Sequence, residues 1–168
     1  MKPVRKAIAL DLGTSLGYSI GEGLGAGEVR LIEAGRKKFA TSNNVTRGQR
    51  ASIFLNWLSS IIAIHTPDRI FYEEVKHHGK QNGVRAAHLY GGFQILTELA
   101  SDRARIPPPL GISPTTIKKH ATGLGRADKR QMIQAASKHF PGVEIASDDV
   151  ADSLEILRTG FHLLDQKT

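Results

Sequence analysis

The run Ala7-Ile8-Ala9-Leu10, closed by Asp11-Leu12-Gly13, narrows the fold more than any other stretch of the chain. A short, unbroken apolar run ending in an acid and a glycine reads as a buried strand, because a strand with one wet face would alternate. Such a strand sits inside a sheet that has cover on both sides. The following segments supply sheet and cover in turn. "GYSIGEG" continues as a second strand, "GLGAG" is turn material, and "EVRLIEAGRKKF" is a third strand, giving an antiparallel meander. From Arg47 to His65, apolar residues at Ala51, Phe54, Leu55, Leu58, Ile61 and Ile62 recur at helical spacing, and Thr66-Pro67-Asp68 stops that helix. "RIFYEEV" is a short fourth strand. "VRAAHLYGGFQILTELASDRA" is a long helix whose Gly91-Gly92 pair costs about 1 kcal/mol per glycine and is expected to admit another helix closely. "PPPLGISP" is an extended fifth strand, and "TTIKKHATGLGRADK" reads as a loop that opens a helix near Ala127, running to about Phe140. The last helix spans Asp148 to about Leu164. The order β-β-β-α-β-α-β-α-α predicts an α/β fold with a mixed five-stranded sheet, three antiparallel strands followed by parallel ones, and helices on both faces. A chain of 168 residues suits one domain, 1–168.

Composition removes several functions. Without cysteine there are no disulfides and no cysteine-based zinc sites. Seven histidines are scattered or, at His77-His78, adjacent, which is poor spacing for chelating one ion. No apolar run approaches the roughly 18 residues a membrane helix needs. The basic start "MKPVRK" leads into a run too short and too acidic for a signal peptide, so a cytoplasmic protein without membrane partners is expected. The net charge of +7 favours polyanions, and the Lys, Arg and His residues concentrate in 76–85 and 118–130.

The acids are where chemistry is expected. In a sheet of this kind the ends of neighbouring central strands share one rim. Asp11 ends the first strand and Glu73-Glu74 ends the fourth; only one of the two glutamates can face where Asp11 faces. In "SDDVADSLEIL", Asp149 and Asp152 are three apart and share a helix face, while Asp148 lies about a hundred degrees round. Leu154, Leu157, Phe161 and Leu164 form the stripe that should lie on the sheet. A helix N-terminus offsets about 0.3–1 kcal/mol per charge, too little to hold four carboxylates together. Magnesium or manganese removes that conflict, because hard cations take carboxylate oxygens. Two such ions about 3.5–4 Å apart serve phosphodiester hydrolysis.

These segments, "IALDLGTSLGYSI", "PDRIFYEEV", "IKKHATGLGRADKRQMI" and "DDVADSLEI", resemble in order and spacing the RuvC family of Holliday junction resolvases, most of all its phage and prophage branch. The resemblance spans nearly the whole chain. It implies a ribonuclease H-like fold and a homodimer that makes paired nicks in four-way DNA junctions. It implies two magnesium ions per site, with manganese able to substitute, and 5′-phosphate ends. Its four catalytic, metal-ligating acids fall on Asp11, Glu73, Asp149 and Asp152, leaving Asp148 and Glu74 at most auxiliary. Its basic residues fall on Lys118 and Lys129. It places the protein in a bacterial or phage-infected bacterial cytoplasm.

The expected DNA-binding surface has two patches. One is Lys118, Lys119, His120, Arg126, Lys129 and Arg130; the other is Lys76, Lys80 and Arg85. Lys76 stands where housekeeping members of that family carry an aromatic wedge, so forks and flaps join four-way junctions as expected partners. Tyr90 and Phe93 are expected in the core or at a dimer contact. Three other readings compete. "DLGTSLG" also resembles the first phosphate loop of actin-like and sugar kinases, a fold that needs over three hundred residues. A YqgF-like RNA nuclease would share the fold. A non-catalytic binder of branched DNA would have no use for all four acids.

Overall fold

A computed structural model describes residues 5–39, 44–75 and 83–166. Five strands form one sheet: β1 (Arg5–Asp11), β2 (Ser15–Gly25), β3 (Glu28–Lys38), β4 (Arg69–Glu73) and β5 (Leu110–Ile112). Their spatial order is β3-β2-β1-β4-β5. The first three strands pair antiparallel, and β4 and β5 add on parallel, as expected for helical crossovers. The helices are α1 (Arg47–His65), α2 (Gly83–Arg103), α3 (Pro114–Thr122), α4 (Lys129–His139) and α5 (Asp148–Asp165).

The pleat of β1 sorts its residues between two layers. Ile8 and Leu10 pack with Phe54 and Leu58 of α1 and Phe93 of α2. Ala7 and Ala9 pack with Ile117 of α3, Met132 of α4 and Ile156 of α5. Small residues on that second face let α5 come close. β2 carries Gly17, Ser19, Gly21 and Gly23 at alternate positions. A Cβ on Gly17 would stand 1.8 Å from the Asp149 carbonyl oxygen, and one on Gly23 would stand 2.4 Å from the Phe161 ring. Ser19 Oγ donates to the Ser153 carbonyl at 2.7 Å. Thus α5 rests directly on the β2 backbone, its first turn pinned above Gly17.

Three expectations need correction. Residues 114–122 are a helix, α3, rather than loop. Ser113 caps it, Pro114 supplies the pre-set first turn, Ile117 and Ala121 bury one face, and Gly123 closes it in the left-handed region at φ 80°. The fifth strand is only three residues long, and α4 begins at Lys129 after the Asp128 cap. Among the described residues of this one chain, a Cβ at Gly91 or Gly92 would meet nothing within 4 Å, so the pair stays open on the outer side of α2. Tyr90 and Phe93 are core residues; Phe93 stacks on Phe54 with ring centroids 4.4 Å apart. Among the described residues, no helix is long and apolar enough to cross a membrane.

Candidate active site

The parity that sorts the core also sorts the acids. Asp11 follows Ala7 and Ala9, so it faces the α5 side. In the parallel register Ala9 pairs with Phe71 and Leu10 with Tyr72, so one further step sets Asp11 beside Glu73. Phe71 belongs to the α5-side core and Tyr72 to the other. Glu73 therefore faces Asp11's way, whereas Glu74 lies on the Tyr72 side, where both approach Gly111. The Glu73 end of β4 is clamped by Tyr90, whose hydroxyl donates to the Glu73 carbonyl at 2.7 Å and accepts from the Val75 N–H at 3.1 Å.

α5 delivers the other acids. Ser147 caps the helix, and Asp148 and Asp149 occupy its first turn. Ser15 Oγ donates to Asp149 Oδ2 at 2.6 Å, and Arg36 Nη1 of β3 lies 3.8 Å from the same oxygen. Asp148 turns away to pair with Lys129 at the start of α4. That bond holds the Asp148 carboxyl below its ordinary value and Lys129 above its own.

The remaining acids sense one another strongly. Burial, joined by the charges of Glu73, Asp152, Asp149 and Asp148, pushes the Asp11 carboxyl up to about 8. Burial and then Asp152 push Glu73 up to about 7, against the pull of Lys118. Burial and then Asp148 push Asp152 up to about 6, again opposed by Lys118. Carboxyls this crowded must hold protons or share cations. As the side chains stand, no three Asp, Glu or His groups among the described residues converge enough to hold an ion, so shared ligation needs side-chain rotation. The donor set fits a hard divalent cation: all-oxygen, acidic and without sulfur or imidazole.

The basic residues divide. Lys118 is half-buried and near enough to draw Glu73 and Asp152 down, and Lys129 is at the Asp148 edge. Lys119, Arg126 and Arg130 are exposed on α3, the α3–α4 loop and α4. Arg126 borders an open groove of about 700 Å³ lined also by Thr115, Gly123, Leu124, Gly125 and Gln131. His120 turns to α5, with Nδ1 3.0 Å from Thr159 Oγ1 and its ring stacked on His162. Lys76 and Lys80 lie outside the described residues, and Arg85 falls in the first turn of α2. Ser15 and Arg36 were not anticipated. Their partner is more than a hundred positions away in the chain, and only the seating of α5 on β2 brings it to them.

No protein-family model matches the chain. The crossover junction endodeoxyribonuclease RuvC of Caldicellulosiruptor saccharolyticus is 31% identical over 154 residues, covering 90% of this chain and 89% of that one. The protein of the same name from Zymomonas mobilis is 29% identical over 134 residues, covering 79% and 77%. Among solved structures, T. thermophilus RuvC in complex with Holliday junction substrate superposes with a TM-score of 0.83 at 22% identity, over 98% of this chain and 97% of that one. The yeast mitochondrial Holliday junction resolvase Ydc2 superposes with a TM-score of 0.71 at 15% identity, over 98% and 80%. The sheet order, the helices on both faces and a relative matched along nine-tenths of the chain place this protein in the RuvC family, with its ribonuclease H-like fold.

Proposed function

We propose that the chain, as one nuclease domain over 1–168, is a metal-dependent endonuclease that nicks four-way DNA junctions and related branched DNA. The observation that carries this reading is the coupling of Asp11, Glu73 and Asp152 across two adjacent strand ends and one helix start. Carboxyls at about 8, 7 and 6 are costly unless a cation takes up their charge. Asp11, Glu73, Asp149 and Asp152 would hold two magnesium ions, with manganese able to substitute. When bound, such ions supply Lewis acidity and an activated water for in-line phosphodiester hydrolysis.

The chain's own groups do the rest. Ser15 fixes the Asp149 carboxylate by donating to its Oδ2. Arg36 borders Asp149 from the β3 side, while Lys118 and Lys129 border the acids from the α3 and α4 side. Those cations meet the phosphates of a strand laid along the rim, and Lys119, Arg126 and Arg130 extend the contact. Lys76, Lys80 and Arg85 would grip the branch from the start of α2 and the segment before it. Dimerisation uses the outer face of α2, where Val84 is 74% and Ile95 60% exposed and Gly91 leaves room for a second backbone. A two-fold pair of sites suits a substrate that is itself nearly two-fold.

The test uses labelled four-way junction, fork, linear duplex and structured RNA, each with magnesium or chelator. Paired, metal-dependent nicks in the junction support the reading. Cleavage of RNA alone, or none at any divalent concentration, would overturn it.

A further inference from the structure

One turn beyond Asp152 on α5, Glu155 is wholly buried yet ionisable. Its Oε1 takes a hydrogen bond from Nδ1 of His139 on α4 at 2.8 Å. Its Oε2 has no hydrogen-bond partner among the described residues; Arg158 Nη1 stands 3.6 Å away. The same nitrogen lies 3.4 Å from His120 Nδ1 and 3.5 Å from the His120 carbonyl, on α3. His120 Nδ1 also meets the Thr159 hydroxyl at 3.0 Å. Both neighbours can donate, so Nδ1 accepts and the ring proton sits on Nε2. Burial and then the Arg158 charge push His120 down to about 4, which keeps the ring neutral.

A carboxylate without solvent costs several kcal/mol, and an apolar side chain of that size would cost less. What Glu155 supplies is location. Through His139 it ties α4 to α5, and through Arg158 and His120 it ties α3 to α5. The helices so tied carry the two lysines that border the acids: His120 is two residues after Lys118, and α4 runs from Lys129 to His139. We propose that Glu155 is a positioning residue of the nuclease centre, setting where α3 and α4 hold Lys118 and Lys129 against the carboxylates. The proposal rests on the nuclease reading for the roles of those lysines, but not for the linkage itself.

Two variants of the full chain separate the arms. Glu155→Met removes both, and Arg158→Met removes only the α3 arm. Four readouts apply: thermal midpoint, junction affinity in chelator, single-turnover nicking rate in magnesium, and acetylation rates of Lys118 and Lys129 by mass spectrometry. Glu155→Met should keep or raise the thermal midpoint, as apolar replacements of buried ion pairs often do. It should slow nicking by about tenfold to a hundredfold, well beyond any loss of affinity, and speed acetylation of both lysines several-fold. Arg158→Met should slow nicking while changing Lys118 labelling and leaving Lys129 as it was. Should Glu155→Met fail to fold, Arg158→Met decides alone. Wild-type nicking and labelling in the folded variants would overturn the proposal. So would a loss of rate that only follows a loss of folded protein. If wild type itself nicks nothing, the nuclease reading fails, and the labelling pattern still decides the linkage.

Discussion

Replacing Asp11 with asparagine should abolish cleavage and, in the absence of metal, make the protein more stable. In the unfolded chain Asp11 ionises near 3.8; in the folded, metal-free protein it does so only at about 8. A carboxyl raised in this way stabilises fully below the lower value, and that contribution is lost as pH climbs toward the upper one. At pH 7 the gap spans about three tenfold steps at about 1.4 kcal/mol each, so the penalty is on the order of 4 kcal/mol. Relaxation around the ionised group would leave about 2–4 kcal/mol of that. The asparagine side chain keeps the shape without the charge. For a domain of this size the gain should raise the melting midpoint by about 5–15 °C in chelator at pH 7. The difference should shrink toward pH 4 and should also shrink when magnesium is added to wild type, since binding to the folded state alone stabilises it. Differential scanning calorimetry of both proteins across pH 4–8, with and without magnesium, measures this. A wild-type midpoint flat across that range, or an Asp11→Asn protein less stable at pH 7, would refute the reasoning.

Three further outcomes follow from named contacts. Gly17→Ala should displace the start of α5, because its Cβ would stand 1.8 Å from the Asp149 carbonyl oxygen; circular dichroism melting and nicking assays should show a destabilised protein with lost activity. Tyr90→Phe removes the hydroxyl that joins the Glu73 carbonyl to the Val75 N–H, and urea melts should show a loss of about 1–2 kcal/mol. Reversing Lys118 and Lys129 to glutamate should weaken junction binding at moderate salt. It should also flatten the log–log salt dependence by about 1.8 in fluorescence anisotropy titrations.

Much of the site was legible because period-2 logic fixes direction as well as burial. The Ala7–Leu10 run identified a central strand and its parity turned Asp11 to one face, but on β4 parity left Glu73 and Glu74 open; the family resemblance pointed to Glu73, and the β4 register turns that residue to the Asp11 side. α3 was missed because its segment carries only two buried side chains, Ile117 and Ala121, among threonines and cations. Its helical signal lies in Ser113-Pro114 and Gly123, caps rather than a stripe. Leu154, Leu157 and Phe161 lie buried as expected, but α5 is also buried at Ser153, which meets β2, and at Glu155 and Thr159, where α4 and α3 cover a face that the periodicity marks as polar. The Glu155 linkage was invisible for that reason. Ser15 and Arg36 were out of reach as well, since no spacing along β2 or β3 announces that α5 will lie across them.

Manganese anomalous diffraction from crystals of the wild-type protein tests the central claim most directly. Two peaks about 3.5–4 Å apart, bounded by Asp11, Glu73, Asp149 and Asp152, are the predicted result. Saturating manganese with no peak among those four carboxylates would contradict the account.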